Sequence, residues 1–218
     1  MKVLALTSLF PRAAQPALGT CGRDTFLALS RYCEVRVVAP VPAWRILARP
    51  LQILSPRREQ GGGLDVVFPP FYSVPGIPCI HAPAIALSLR DAMRRLHDEF
   101  PWDILVAAWA YPDAAAGAHF ARWWDTPLVT IALGAELDTL PACFGIRPQI
   151  QWALSRSARV VAVNGELSDQ AVALGAPRER VVVQPHGGDV GRRYFGMLEE
   201  VLAEWREQHA AVVSSHSP

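Results

Sequence analysis

Four loops carry the residues that could do chemistry in this chain. The first, F-P-R-A-A-Q-P-A-L-G-T-C-G-R-D, sets Gly19 and Gly22 around a helix start. Free N–H groups there attract an anion, and glycine lets it come close to the backbone. Glycines serving only a tight turn would read the same. The second loop, A-A-W-A-Y-P-D, places Trp109 and Tyr111 at the end of an apolar run, with Pro112 and Asp113 opening the next helix. Two aromatics there suit a platform for a sugar ring; Asp113 is equally readable as a plain N-cap. In the third, T-I-A-L-G-A-E-L-D, Gly134 permits close backbone approach. Glu136 either accepts hydrogen bonds from ligand hydroxyls or stands as a solvated loop carboxylate. The fourth, Q-P-H-G-G-D, makes a glycine-rich exit of His186, Gly187, Gly188 and Asp189.

Other chemistries find no support. There is no G-x-x-x-x-G-K-[ST] phosphate loop, no G-x-S-x-G elbow and no H-E-x-x-H. The 6 histidines do not cluster, so no metal is expected. The 4 cysteines are far apart with no C-x-x-C, which fits reduced thiols better than a disulfide framework. A net charge of +1 gives no footprint for nucleic acid. The opening V-L-A-L-T-S-L-F ends at Pro11-Arg12 without a small-residue cleavage site, so it reads as a first strand rather than a signal peptide. No run reaches the ~18 apolar residues of a spanning helix. The expected location is the cytoplasm, with the inner face of the membrane as the alternative.

The elements that must position these loops alternate. Short runs rich in Val, Ile and Leu over 2–9, 34–39, 64–68, 103–109, 127–133, 159–163 and 180–184 read as strands apolar on both faces. Helix-length segments over 20–32, 82–99, 113–124, 144–156 and 166–174 fall between them. Such alternation in a chain of 218 residues, 51% of them apolar, predicts β-α-β units. The fold class is α/β: a parallel sheet of about seven strands with helices on both faces. Two proline-rich connections, 40–63 and 69–78, are long enough to be lids or binding loops. Asn164 reads as an N-cap. Past Asp189, residues 192–211 carry Tyr194, Leu198, Val201 and Trp205 on one stripe, an amphipathic helix that must dock on something.

In order, these pieces resemble the N-terminal half of glycosyltransferase family 4, the group 1 enzymes of GT-B architecture, in the branch that builds exopolysaccharide and cell-surface polymers. The resemblance runs from Met1 to Asp189. It rests on Phe10-Pro11 and the Pro16-to-Gly19 loop, V-R-V-V-A-P at 35–40, D-I-L-V…W-A-Y-P-D at 103–113 and P-L-V-T-I-A-L-G-A-E at 127–136. The closing V-A-V-N-G-E-L-S-D…L-G-A-P…V-V-V-Q-P-H-G-G-D completes it. It implies a Rossmann-like domain, and transfer of a sugar from a nucleotide donor to a hydroxyl acceptor with retention and without a metal. The nucleotide-sugar would be a co-substrate, so no cofactor is implied. Gly19 and Gly22 would offer the donor-phosphate loop; Trp109, Tyr111, Asp113, Gly134 and Glu136 would hold a sugar or lipid-linked sugar acceptor. His186, Gly187, Gly188 and Asp189 would be the linker to a second domain.

Four positions depart from that pattern. Leu133 stands where the family places His or Arg, Glu136 replaces Asp, and His186 and Gly188 replace the Asn and Val of an N-G-V-D linker. The donor-binding domain with its E-x(7)-E motif does not follow. The expected layout is therefore an acceptor-binding domain over 1–189, a helix over 190–211 packed on it, and a disordered tail over 212–218. Such a chain would be inactive without its partner domain. A non-catalytic assembly module, or one half of a split enzyme, is the alternative. Two further contacts are expected as options: a homodimer through the C-terminal helix, and a peripheral membrane contact at Arg90, Arg94 and Arg95, which otherwise form a solvated helix face.

Overall fold

Residues that are apolar at every position of a short run need cover on both sides, and the sheet provides it. The structure, a computed structural model, describes residues 1–12, 15–44, 58–61, 64–185 and 187–215. Its strands are β1 Lys2–Leu6, β2 Glu34–Val38, β3 Val41–Pro42, β4 Arg58–Gly61, β5 Leu64–Val67, β6 Pro70–Phe71, β7 Ile104–Ala108, β8 Leu128–Ala132, β9 Arg159–Ala162 and β10 Val181–Val183. The helices are α1 Thr20–Leu29, α2 His81–Glu99, α3 Ala115–Trp124, the single turn α4 Ala135–Asp138, α5 Arg147–Arg156, α6 Gly165–Ala173 and α7 Val190–Ser215.

Eight strands form one sheet in the order β10-β9-β8-β7-β1-β2-β5-β4. All neighbours are parallel except β4 and β5, which pair antiparallel with Arg58 opposite Val67 and Gly61 opposite Leu64. β3 and β6 make a separate two-stranded ribbon. The sheet bears out the expected α/β layout of about seven strands, with β4 as an eighth. That strand comes from within 40–63, and Arg-Glu-Gln-Gly has none of the apolar pattern that marks a strand. It is an edge strand held by backbone pairing and by Arg58 on Asp65 at 2.6 Å.

The chain builds outward from β1 to β2 and β5, then returns to lay β7 on β1's other side, with Leu4 flanked by Arg36 and Leu105. That reversal makes a crevice at the carboxyl ends of β1 and β7. Alternation along β1 divides the core. Leu4 and Leu6 pack with Ile85, Leu89, Phe120 and Leu154 of α2, α3 and α5. Val3 and Ala5 pack with Phe26 and Leu29 of α1 and with Leu198 and Val201 of α7.

α7 reaches α1 so closely that a Cβ on Gly191 would lie 2.2 Å from the Ala28 carbonyl oxygen. Burying each Leu or Val along that seam contributes about 1.5–3 kcal/mol. Farther on, α7 passes the amino ends of the strands, where Glu204 meets Arg159 at 2.9 Å and Arg206 meets Asp103 at 3.5 Å. Its backbone stays helical to Ser215, beyond the expected end at 211. Trp205 stacks on His209 of its own helix, 4.2 Å between ring centroids.

Candidate functional site

Three strands, β1, β7 and β8, deliver the sequence-selected residues to one edge. β1 ends and the chain turns at Ser8, whose backbone N–H donates to both carboxylate oxygens of Asp113, at 3.0 and 2.9 Å. Asp113 is 0% exposed. Burial pushes its carboxyl well above the ordinary range; the Ser8 N–H and hydroxyl oppose that, and the charge of Glu136 adds to it. The N-cap reading of Asp113 is thus corrected: no side chain caps the start of α3, and the aspartate instead ties the exit of β7 to the exit of β1.

Glu136 makes the matching tie on the other side. It too is 0% exposed, with Oε1 accepting from the Leu133 N–H at 2.6 Å. Burial raises its carboxyl, while the N–H groups of Leu133, Glu136, Gly134 and Ala110 draw it back down. Ala110 lies on the exit of β7, so the Glu136 carboxylate sits near that exit while bonding to the Leu133 N–H of its own turn. Oε2 is buried without a partner of hydrogen-bonding geometry, so those N–H groups favour the carboxylate without all bonding it. The solvated-loop reading of Glu136 is thus corrected, because the turn over Gly134–Leu137 folds the side chain under itself.

Above these carboxylates the rim is backbone and indole. Trp109 is half-buried and holds φ 105°, ψ 128°, a region that costs a non-glycine residue about 1–3 kcal/mol. Hydrogen bonds from Trp109 N to the Ile131 carbonyl and from Ala114 N to the Trp109 carbonyl, both 2.9 Å, keep it there. Gly134 takes φ 143° with no atom within 4 Å of where a Cβ would point, so its face is open. Tyr111 differs from expectation. It is buried, its hydroxyl donates to the Pro78 carbonyl, and burial lifts its pKa to about 12. It braces the turn before α2 rather than offering a surface.

Gly19 is explained by local geometry. At φ 68°, a Cβ there would sit 1.9 Å from the Leu9 carbonyl oxygen, so glycine is what lets the loop close on the exit of β1. It also starts α1, with no side chain capping the first N–H groups. Gly22 is buried in the first turn, where a Cβ would meet Phe26 at an ordinary 4.0 Å, so nothing in its packing requires glycine.

In the exit loop, Gly187 and Gly188 take φ 101° and 60°. Asp189 Oδ1 accepts from Arg192 N at 3.0 Å and Oδ2 from the Tyr32 hydroxyl at 2.6 Å. These bonds, the Tyr32 one foremost, lower its carboxyl pKa. Arg193 donates to the Pro185 and Gly187 carbonyls at 2.8 and 2.7 Å. His186 lies outside the described residues. Asn164 caps α6, accepting from Leu167 N at 2.8 Å. Among the described residues no group of histidines, cysteines and carboxylates could hold a metal ion. Among the described residues no helix is long and apolar enough to cross a membrane. Sequence reasoning missed Ser8, whose one signal is its place just past the first strand.

Residues 24–187, well over half the chain, match the glycosyl transferase 4-like domain. The chain belongs to that family. Its fold recurs in Anabaena HepE in complex with UDP and glucose, with 17% identity, TM-score 0.56, and cover of 86% of this chain and 45% of that one. It recurs in the UDP-GlcNAc 2-epimerase of Methanocaldococcus jannaschii, with 11% identity, TM-score 0.55, and cover of 84% and 45%. This glycosyl transferase 4-like domain therefore spans under half the length of either. A third structure is sucrose-phosphate synthase from Thermosynechococcus elongatus, described by the spans 27–220 and 406–426. It has 11% identity and TM-score 0.61, with cover of 95% of this chain and 99% of that one. At such identities the likeness is one of fold. Among curated proteins, none matches.

Proposed function

We propose that this domain is the acceptor-side half of a retaining, nucleotide-sugar-dependent glycosyltransferase that extends a bacterial surface polysaccharide. What carries the reading is the gathering of Ser8, Trp109 and Gly134 on one edge, at the strand-order reversal where α/β sheets bind ligands. The acceptor sugar lies against the Trp109 indole and the open face of Gly134. Asp113 and Glu136 stay beneath the rim and keep the three strand exits in register. The donor phosphates approach the start of α1, where Gly19 leaves the first N–H groups uncapped.

Leu133 offers no hydrogen bond from its side chain where the family has His or Arg. Charge developing on the leaving nucleotide must then be met by donors from an opposing domain, and without them catalysis is lost rather than weakened. The match to a structure described by two separate spans supports reading α7 as a helix that returns from such a domain. The test is to assay the chain with nucleotide-sugars and sugar acceptors, alone and with a separately supplied donor domain. We expect no turnover alone, activity on mixing, and loss of sugar binding in Trp109→Ala measured by calorimetry. Turnover by the chain alone at an enzyme-like rate, or unchanged sugar binding in Trp109→Ala, would overturn the reading. The burial of both carboxylates favours a second reading, a non-catalytic assembly module; partner capture without activity would decide for it.

A further inference from the structure

Past β2 the sheet continues into β5 and β4, but the helix that covers its inner strands does not follow. α2 lays Ile85 and Leu89 on Leu4, Leu6 and Val38 of β1 and β2. The next strand out, β5, meets only the flank of α2, and Val67 at its end stays half-buried. The gap is a pocket of about 310 Å³. Val38 and Val67 form its floor. Leu89, Ala92, Met93 and Leu96 form its wall, and helical spacing puts all four on one side of α2. Trp109, Gly134 and the start of α1 take no part in it.

Size and charge narrow the occupant. An engineered cavity of roughly 150 Å³ takes one benzene molecule, so this pocket takes about two fused rings or a branched chain of similar bulk. A packed helix or a second protein would need far more surface than that. The mouth mixes charges of both signs, Arg58 and Arg95 with Glu99. Arg58 meets Asp65 at 2.6 Å, and Glu99 lies 3.6 Å from both Arg58 and Arg36. Asp91 and Asp98 stand four residues before and three residues after Arg95 on the same helix. Neither sign dominates, so the rim draws no ion. An ion pressed onto the valine and leucine lining would also lose its hydration without gaining a partner. A pocket that is mostly apolar, with a few polar groups at one end, suits a small neutral ligand.

We propose that this pocket binds an uncharged apolar molecule of about two rings, its body against Met93 and Val67 and a single oxygen at the mouth facing Arg95. The site is separate from the crevice at the ends of β1 and β7 and does not need the glycosyl-transfer reading.

Titration of the chain with 1-naphthol tests it, read by NMR of labelled methionine methyls. The chain has 3 methionines; Met93 lies in the pocket wall, and Met197 packs on the other side of the sheet. We expect 1-naphthol to shift the Met93 methyl saturably and to leave Met197 in place. Ala92→Phe fills the pocket from its wall and should weaken binding about 10-fold or more. Val67→Phe, from the floor, should do the same, both with circular dichroism unchanged. The carboxylate 1-naphthoate should bind about 10-fold more weakly or worse. Raising salt from about 0.05 to about 0.5 M should leave the affinity for 1-naphthol within about 2-fold. Four results would overturn the proposal. One is no saturable shift of Met93 up to the solubility limit of the probe. Another is wild-type affinity in folded Ala92→Phe and Val67→Phe, which would put the probe elsewhere. The third is tighter binding of 1-naphthoate that weakens with salt, which would make the pocket an anion site. The last is a Met93 shift that follows protein concentration without any probe, which would assign the pocket to a second copy of this chain.

Discussion

Replacing Asp113 by Asn should abolish a pH dependence that the wild-type fold carries. The Asp113 carboxyl is fully buried, and burial raises its pKa further than the Ser8 N–H and hydroxyl lower it. The native state then holds a proton that the unfolded chain releases at about pH 4. With more protons bound in the native state than in the unfolded one, stability falls as pH rises from the unfolded pKa towards the folded one. The slope is at most about 1.4 kcal/mol per pH unit for one group. Below the window the effect is absent; above it the destabilisation is complete and constant. Glu136, raised for the same reason, adds a coupled contribution of the same sign. Asn keeps an amide oxygen to accept from Ser8 N–H and is neutral at every pH. Asp113→Asn should therefore flatten the profile and equal or exceed wild type at pH 7. Urea unfolding at half-unit steps from pH 4 to pH 7 measures it. A wild-type stability that climbs over that range, or an Asn variant with the same slope as wild type, would refute the reasoning: the Ser8 bonds would then outweigh desolvation.

Other substitutions test the remaining joints. Gly19→Ala meets the Leu9 carbonyl at 1.9 Å and a left-handed φ at once, so it should lose at least about 1–3 kcal/mol, read as a lower melting temperature. Leu198→Ala, in the seam between α7 and α1, should cost about 2–5 kcal/mol; a loss under ~1 kcal/mol would mean that α7 contributes little to the fold. Glu136→Gln leaves an amide N–H₂ facing backbone donors that the carboxylate tolerated, and should raise hydrogen exchange at Leu133 and Ala110 without disturbing α7.

How much of this could be read from letters depends on the range of the interaction involved. β7 and β8, I-L-V-A-A and L-V-T-I-A, are buried at all five positions, and a run with no polar face announces itself. The amphipathic tail declared its buried stripe through Tyr194, Leu198 and Val201. β4 did not, because an edge strand needs only backbone pairing on one side, and Arg58 is satisfied by a carboxylate seven residues away. The first strand reads as continuing to Leu9, yet it ends at Leu6. Past Thr7 the Ser8 N–H goes to Asp113, more than 100 residues downstream, and not to a neighbouring strand.

The site shows the same division with a sharper consequence. Trp109, Asp113, Gly134 and Glu136 stand out as residue types at strand ends, but type does not say which face water and which face the core. An exposed carboxylate and a buried one have the same letter. Here both carboxylates are turned inward by backbone donors, Asp113 by Ser8 on the neighbouring strand exit and Glu136 Oε1 by Leu133 of its own turn, with Ala110 close by. Trp109 lies between the two ties, and each of them fixes the backbone within a few residues of it. A positive φ at a tryptophan survives only where its surroundings over-determine it, and two ties with two hydrogen bonds do so. The strained indole and the pair of buried acids are therefore one device: the acids hold the strand exits, and the exits hold the ring at the rim of the crevice. Loosening either acid should let Trp109 relax to negative φ and turn its ring, so sugar binding and the Trp109 backbone chemical shifts should change together in Asp113→Ala. A shift change without a binding change would separate the ring from the site.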